Sequence, residues 1–452
     1  MNITPCISQV PLSINGVEGI NPADLSSKNI RGRDIIIINP TCEGGGDHAL
    51  AKKIANIALD AGCRVTIYSL NLFSYGENAH NPKYQNYTLH NEEPHHISHL
   101  NDPLFIISPV GIAKTSILEK HLKKICEEFK FQKDDIILIE EMDLLDSNSQ
   151  ELNNYNDMLK KIGFTNISIN KLGFDSGSIG YIPTDERTIN EIKSRFEGEL
   201  INLFDSYNVT LSRDNSYHLA YISSDTYVTG SQVFIANTLS EIVEDERSAT
   251  FIMSLRELHT SRITVLTNGI ENILKTKNEE FDYASLFSKA TITVINSDSG
   301  NIERQNIFTG SGTKKIKIII TNKLPKNIYD DFLILADTGM ASGDQSLSDY
   351  LTIKGKFPYY DMQPWKAPLV KSIKKLGGRD LEKHLDNRIT GRKPFTGEII
   401  SSLKSNITQQ TLTPEQLTKV NELDKIISSN TAEKYICELI KSRMKNIKST
   451  GF

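Results

Sequence analysis

Four consecutive isoleucines, Ile35 to Ile38, restrict the possible fold of this chain more than any other feature. A β-branched run without polar alternation predicts a strand buried on both faces, which is typical of parallel sheets. A glycine-rich turn follows (residues 40–48, PTCEGGGDH), then an apolar helical stripe that ends at Gly62, then a second strand at residues 64–68. This order predicts an α/β domain with its ligand at the glycine-bearing edge of the sheet.

A second glycine-containing turn dominates the last third of the chain, within residues 324–366. An amphipathic helix is predicted to end at Ala336 and Asp337, and a short apolar connection leads to the polar turn at residues 342–346. A second helix is predicted from Leu347 to Ile353. Gly343 lets a backbone approach a ligand closely, and helix-opening amides favour an anion such as a phosphate. An ordinary loop-to-helix junction is the alternative.

A chain of 452 residues is long for a single core. The predicted fold class is α/β, with two Rossmann-like domains facing across a cleft and a helical C-terminal tail. Predicted boundaries are a loose arm at 1–30, an N-terminal domain at 31–183, a C-terminal domain at 184–375 and the tail at 376–452. The glycine- and serine-rich run at 173–185 is the predicted hinge. Further strands are predicted at 104–107, 136–139, 217–222, 263–266, 291–295 and 316–321.

Composition and charge exclude several classes. A formal net charge of -5 gives no reason to expect nucleic-acid binding. The sequence contains no apolar run of about 20 residues, so no membrane span is predicted. The N-terminus lacks the pattern of a secretory signal, and the five cysteines are scattered without CxxC spacing. These features predict a cytoplasmic protein, acting in its own cell or in one to which it is delivered.

A histidine-rich span at residues 80–99 raises the question of a metal site. His80, His90, His95, His96 and His99 lie there without a recognisable ligand spacing. A surface loop is the favoured interpretation, and metal binding is the alternative.

Asp47, directly after three glycines, is the candidate general base. His48 competes for that role, and a helix N-cap is an equally weighted structural interpretation of Asp47. P-loop, GxGxxG and GxSxG patterns are absent, and so is Asp-x-Asp, which metal-dependent sugar transferases use to hold a cation on a diphosphate. A diphosphate would then be bound by backbone amides and polar side chains, without a metal.

Both turns resemble those of GT-B glycosyltransferases and, within that class, of bacterial protein-arginine rhamnosyltransferases, which modify a translation elongation factor. The family's Tyr-Gly-Asp turn corresponds to Gly45-Gly46-Asp47, and its Gly-Glu-Asp-Ser-Phe turn to residues 343–347 (GDQSL). Its Gly-Lys-Pro-Phe corresponds to residues 355–358 (GKFP), with Gln363-Pro364 downstream. The chain departs from the family at Asp344, at Gln345 and in one extra residue before Pro358.

The resemblance implies inverting transfer of a sugar from a nucleotide diphosphate to an acceptor, a protein side chain, with no metal or other cofactor. The amides of Gln345 to Leu347 and the Ser346 hydroxyl would hold the diphosphate, Asp344 would bind the ribose or base, and Asp47 would take the acceptor's proton. A loop at 227–231 would close over the donor. The substrate-binding candidates are Gly45, Gly46, His48, Tyr227, Gly343, Asp344, Gln345, Ser346, Leu347, Tyr359, Tyr360 and Gln363.

Two of these assignments and the activity itself have alternatives. Tyr359 and Tyr360 would line the base pocket or be core aromatics with equal weight. A nucleotide-sugar epimerase or hydrolase of the same shape is a second enzyme hypothesis. A non-catalytic protein that binds a partner through its helical tail is a third.

Overall fold

The structure is a computed structural model. It describes residues 34–41, 46–73, 86–90, 103–111, 114–128, 130–144, 150–186, 189–190, 192, 197–223, 227–256, 258–277, 282–296, 299–391 and 412–445.

Strands and helices alternate along most of the described chain. The strands are β1 (Asp34–Thr41), β2 (Arg64–Phe73), β3 (Asn86–His90), β4 (Leu104–Val110), β5 (Asp135–Glu140), β6 (Asn166–Lys171), β7 (Ser216–Ile222), β8 (Ala249–Leu255), β9 (Phe287–Asn296), β10 (Asn301–Thr309), β11 (Lys314–Asn322), β12 (Thr338–Ala341), β13 (Tyr359–Met362) and β14 (Ile389–Gly391). The α-helices are α1 (Gly46–Asp60), α2 (Thr115–Glu128), α3 (Gln150–Ile162), α4 (Glu197–Asn202), α5 (Tyr227–Glu241), α6 (Thr260–Leu274), α7 (Lys326–Leu335), α8 (Asp344–Lys354), α9 (Ala367–Gly377), α10 (Glu382–Arg388), α11 (Pro414–Ser429) and α12 (Glu433–Lys445).

The chain divides into two compact units. Unit 1 comprises Met1–Ile182 and Thr431–Phe452, and unit 2 comprises Pro183–Asn430. The helices predicted for the tail are therefore shared: α11 belongs to unit 2 and α12 to unit 1. The α12 helix is held in unit 1 by an ion pair of Arg443 with Asp135 at 3.3 Å.

Unit 1 is built on a six-stranded sheet with the order β3-β2-β1-β4-β5-β6. Only β3 is antiparallel to its neighbour. All four isoleucines of β1 are 0% exposed, which confirms the prediction of a strand buried on both faces. The strand order reverses direction between β1 and β4, because β2 lies on one side of β1 and β4 on the other. In open α/β sheets, ligands bind outside the carboxyl ends of the strands at such a reversal.

Unit 2 is built on an eight-stranded sheet with the order β10-β9-β11-β8-β7-β12-β13-β14. β10 pairs antiparallel with β9, and the other neighbours are parallel. From β7 the chain builds the sheet in one direction through β8, and from β12 it builds in the other. The reversal of this sheet therefore lies between β7 and β12. The predicted α/β class with two Rossmann-like parallel sheets is confirmed.

Three local predictions in unit 2 are wrong. Residues 263–266 are part of helix α6, since Ile263, Leu266 and Ile270 recur at helical spacing and are all buried. The apolar connection after Asp337 is strand β12, which pairs with β7 and β13. The loop at 227–231 is the first turn of helix α5.

The predicted hinge contains a turn fixed within unit 1. The Asp143 carboxylate accepts hydrogen bonds from the Phe174 amide at 2.8 Å and the Ser178 hydroxyl at 2.9 Å. Gly173 and Gly180 form a bridge across this turn. The chain passes from unit 1 to unit 2 after Ile182.

Among the described residues, no helix combines the length and the apolarity needed to cross a membrane.

Candidate functional site

Polar residues follow three neighbouring strands at the reversal of the unit 2 sheet. Ser223 comes after β7, Ser342 after β12, and Gln363 after β13. Because the three strands are parallel, their carboxyl ends lie at the same edge. This edge is the position at which the topology predicts a ligand.

Side-chain hydrogen bonds join these strand ends. The hydroxyls of Ser223 and Ser342 lie 2.9 Å apart, and the Gln363 side-chain amide donates to the Ser223 hydroxyl. The Ser342 hydroxyl also lies 3.3 Å from both the carbonyl and a carboxylate oxygen of Asp361. Ser223, Ser342 and Asp361 are all buried. The edge is therefore a preorganised polar surface, held across three strands.

Helix α5 approaches this edge through a glycine. A Cβ atom on Gly230 would lie 2.9 Å from a carboxylate oxygen of Asp361 and 3.2 Å from its Cγ. Glycine at this position lets the first turn of α5 pack against the buried carboxylate. Tyr227, a predicted substrate-binding residue, is the first residue of α5 and so opens a helix at the same edge.

The turn between β12 and α8 places helix-opening amides at this edge. Gly343 has φ 92° and ψ 171°, a conformation open only to glycine. Nothing lies within 4 Å of a Cβ built there, so the requirement for glycine is conformational. The Ser346 hydroxyl accepts from the Ser342 amide at 3.0 Å and lies 3.0 Å from the Ser342 carbonyl. Ser346 thus fixes the shape of the turn.

The amides of this turn differ in their availability to a ligand. The Leu347 amide donates to the Gly343 carbonyl at 3.2 Å, and its side chain is 0% exposed. Leu347 therefore belongs to the helix and the core, which corrects its assignment to the diphosphate. The amides of Gln345 and Ser346 precede it, and helix geometry gives amides of the first turn no acceptor within the helix. They carry the positive end of the helix dipole.

A buried ion pair lies at the start of α8. The Lys366 ammonium is 2.7 Å from Asp344, and the two side chains are 2% and 9% exposed. Asp344 thus already has a partner in the protein, and its predicted role as a ligand for a ribose or base stays a prediction. The pair brings a lysine to the helix N-terminus, where an anion would meet both the cation and the amides.

Tyr359 and Tyr360 are both buried, at 1% and 0% exposure. The Tyr359 ring packs against Phe234 with centroids 5.4 Å apart, and its hydroxyl donates to Glu241 at 2.7 Å. These contacts place Tyr359 in the core of the unit. Burial, and then the neighbouring Asp344 carboxylate, raise the pKa of Tyr360, which lies near the Gly343 end of α8.

Unit 1 has a comparable arrangement at the reversal between β1 and β4. The Asn39 side-chain amide donates to the Ser108 carbonyl at 2.7 Å and to the Asp47 carbonyl at 3.1 Å. Asn39 and Ser108 are 0% exposed. This bridge holds the first turn of α1, which contains Asp47, at the carboxyl edge of the sheet.

Asp47 is the second residue of α1 and lies in its first turn. Gly46 opens the helix, whereas Gly45 is outside the described residues. His48 is partly buried, and burial, followed by the charge of Lys52, lowers its pKa below the usual 6.5. The neutral imidazole, the form that a base requires, is therefore favoured near neutral pH. The catalytic role of Asp47 stays a prediction.

The histidine-rich span falls almost entirely outside the described residues; His90 lies in β3. Among the residues that are described, no group of three metal-ligating side chains occurs.

Three residues that the fold brings to unit 2's edge, Ser223, Asp361 and Lys366, were not among the predicted site residues. Asp361 and Lys366 follow Gly343 by 18 and 23 positions, so no local pattern joins them to its turn. The available signal was positional: both lie on or just after β13, a strand that neighbours β12.

No family profile matches the chain, and no curated protein sequence matches it. Solved structures with a similar arrangement include an Escherichia coli trehalose-6-phosphate protein bound with UDP-2-fluoro glucose (TM-score 0.40, 11% identity, 91% of this chain and 99% of that one). A glycosyltransferase from Rickettsia africae gives a TM-score of 0.41 at 9% identity, covering 93% of this chain and 100% of that one. An alpha-glucosyltransferase in complex with UDP gives 0.40 at 9% identity, covering 92% and 100%. Similarities this low do not establish a shared ligand or reaction.

Proposed function

We propose that this protein is a glycosyltransferase of the GT-B type, which transfers a sugar from a nucleotide diphosphate to an acceptor without a metal ion. The observation that carries the proposal is the edge at β7 and β12. A glycine turn, a helix N-terminus and a buried lysine converge there, at the reversal of a parallel sheet. Backbone amides at a helix N-terminus, together with a cation, are suited to a diphosphate.

Unit 2 binds the donor in this proposal. The amides of Gln345 and Ser346 donate to phosphate oxygens, and Lys366 supplies the positive charge. When the bond between the sugar and the diphosphate breaks, the nucleoside diphosphate leaves with the electron pair. The amides and the ammonium stabilise the negative charge that develops on it.

Unit 1 supplies the base. Asp47 takes the proton of the acceptor nucleophile, which forms the new bond to the sugar with inversion at the anomeric carbon. Asn39 holds the backbone of that turn through the Asp47 carbonyl. The resemblance to protein-arginine rhamnosyltransferases supports a protein side chain as the acceptor, with arginine as the first candidate. It also supports a bacterial enzyme that acts in the cytoplasm.

Isothermal titration against UDP, dTDP, GDP and ADP tests the donor site. Binding of at least one nucleoside diphosphate is expected, and binding of none would rule out the proposal. Incubation of the protein with a lysate and pooled nucleotide sugars, followed by mass spectrometry, tests transfer. A fixed mass increase on one acceptor is expected. Consumption of donor without any modified acceptor would instead indicate a hydrolase or epimerase.

A further inference from the structure

Trp365 is a large aromatic side chain that the fold leaves at the carboxyl edge of the unit 2 sheet. It is the only tryptophan in the sequence, and it is 51% exposed. It lies in the short 3-10 turn Pro364–Lys366, directly after β13 and Gln363. The tyrosines of β13 itself, Tyr359 and Tyr360, are buried.

The turn that presents this indole is fixed to the candidate site at both ends. On one side, the Gln363 side-chain amide donates to the Ser223 hydroxyl at the end of β7. On the other, the Lys366 ammonium pairs with Asp344 at the start of α8. The Lys366 amide closes the turn onto the Gln363 carbonyl at 2.8 Å. A ligand at this edge would therefore meet a ring on a preordered backbone, which limits the entropy lost on binding.

Gln363, two positions before Trp365, and Lys366, directly after it, both contact elements of the candidate site. Gln363 bonds to the end of β7, and Lys366 to the first residue of α8. A nucleotide diphosphate sugar bound by its phosphates at α8 carries two rings, the base and the sugar, that extend beyond the phosphates. Both rings have faces that stack on an indole.

We propose that Trp365 is a specificity-determining residue, whose indole stacks on a ring of the nucleotide sugar bound at the N-terminus of α8. The inference rests on the proposed function and deepens it. Trp365 holds the ring while the amides and Lys366 hold the phosphates, and the two contributions are separable because pyrophosphate has phosphates but no ring.

The single tryptophan makes the full-length protein its own reporter. Indole fluorescence is followed during titration with pyrophosphate, with UDP, dTDP, GDP and ADP, and with the glucose conjugate of each nucleotide. Calorimetry gives the affinities of wild type, Trp365→Phe and Trp365→Ala. Tyr435→Ala is the matched control, because Tyr435 is an aromatic of similar exposure, 46%, in unit 1.

Fluorescence is expected to change with the ring-bearing ligand and not with pyrophosphate. Trp365→Ala is expected to weaken that ligand about tenfold, as removal of one base–aromatic stack does, with pyrophosphate affinity unchanged. Trp365→Phe and Tyr435→Ala should each bind every ligand with an affinity close to that of the wild type. If Trp365→Ala already binds the nucleoside diphosphate more weakly than wild type, the ring that stacks on Trp365 is the base. If only the affinity for the glucose conjugate falls, that ring is the sugar.

Equal affinity of wild type and Trp365→Ala for every ligand that binds overturns this inference and leaves the proposed function standing. Absence of any nucleotide binding to the wild type overturns both.

Discussion

The Lys366 ammonium lies 2.7 Å from a carboxylate oxygen of Asp344, and the two side chains are 2% and 9% exposed. The pair joins the residue before α9 to the first residue of α8, 22 positions earlier in the chain. The carboxylate compensates the cost of burying the lysine ammonium. The pair also brings a cation to a helix N-terminus, a position that favours an anion.

Removal of one member of this pair is expected to affect both stability and binding. Lys366→Met leaves a buried carboxylate without its cation, which costs about 3–5 kcal/mol in comparable pairs. The double variant Lys366→Met/Asp344→Asn should recover much of that stability, since neither charge remains. Urea denaturation measures the first effect.

Pyrophosphate titration separates the structural role of the pair from the proposed binding role. The matched comparison is between the double variant and Asp344→Asn, because these two proteins differ only at Lys366. The double variant should bind pyrophosphate more weakly than Asp344→Asn, since the ammonium is gone. Equal pyrophosphate affinity in these two variants would show that Lys366 is a purely structural residue.

Gly343 and Gly355 form a matched pair at the two ends of α8. Both have positive φ, 92° and 64°, and both have open space where a Cβ would lie. Gly355→Ala should destabilise the protein by about 1 kcal/mol, because its backbone is left-handed. Gly343→Ala should cost about 1–3 kcal/mol, because its backbone conformation is open only to glycine. Only Gly343→Ala should weaken nucleoside diphosphate binding as measured by calorimetry, because only Gly343 shapes the turn at the helix N-terminus. Equal binding losses in both variants would contradict the placement of the ligand.

Asp47→Asn is expected to lower the transfer rate about 100-fold or more while donor affinity is retained, because the amide cannot accept a proton. Single-turnover assays and donor titration measure the two quantities. Asp60→Asn is the control, since Asp60 is an acid in the last turn of the same helix, α1. Full transfer activity in Asp47→Asn would leave the residue with a structural role in the first turn only.

Acid should destabilise unit 2 through His218. This side chain is 1% exposed and lies 2.8 Å from the Thr338 hydroxyl and 3.1 Å from that of Ser216. Burial lowers its pKa from 6.5 to about 4. The folded state therefore binds a proton less readily than the unfolded one, and stability present above pH 6.5 is lost as the pH falls towards 4.

The expected loss from this single histidine between pH 7.5 and pH 5 is about 2 kcal/mol. Denaturation midpoints across that interval, for wild type and His218→Gln, measure it. The variant should show a shallower loss of stability on acidification, whatever its stability at neutral pH. Parallel slopes for the two proteins would exclude His218 as a source of the acid sensitivity.

The sequence predicted those parts of the fold that depend on local pattern. The isoleucines of β1 could be placed because only a sheet covered on both faces buries four in succession. The helix predicted to end at Ala336 is α7, Lys326–Leu335, which has Ala336 as its C-cap.

The remaining misassignments have local causes. Ile263 and Val265 suggested a strand because both are β-branched, although the buried positions over the longer window follow helical spacing. Strand β12 is only four residues long, Thr338–Ala341, and contains a glycine, so no strand pattern could be recognised. Lys366 became a site candidate only when pairing of β13 with β12 set its turn beside α8, a relationship that no local pattern encodes.

Amide hydrogen exchange with a saturating nucleoside diphosphate tests whether this edge binds the donor. Exchange at residues 342–347 and 363–366 is expected to slow on ligand addition, with little change at the opposite end of α8 around Gly355. Binding that leaves the exchange of both segments unaltered would contradict the assignment of this edge as the donor site.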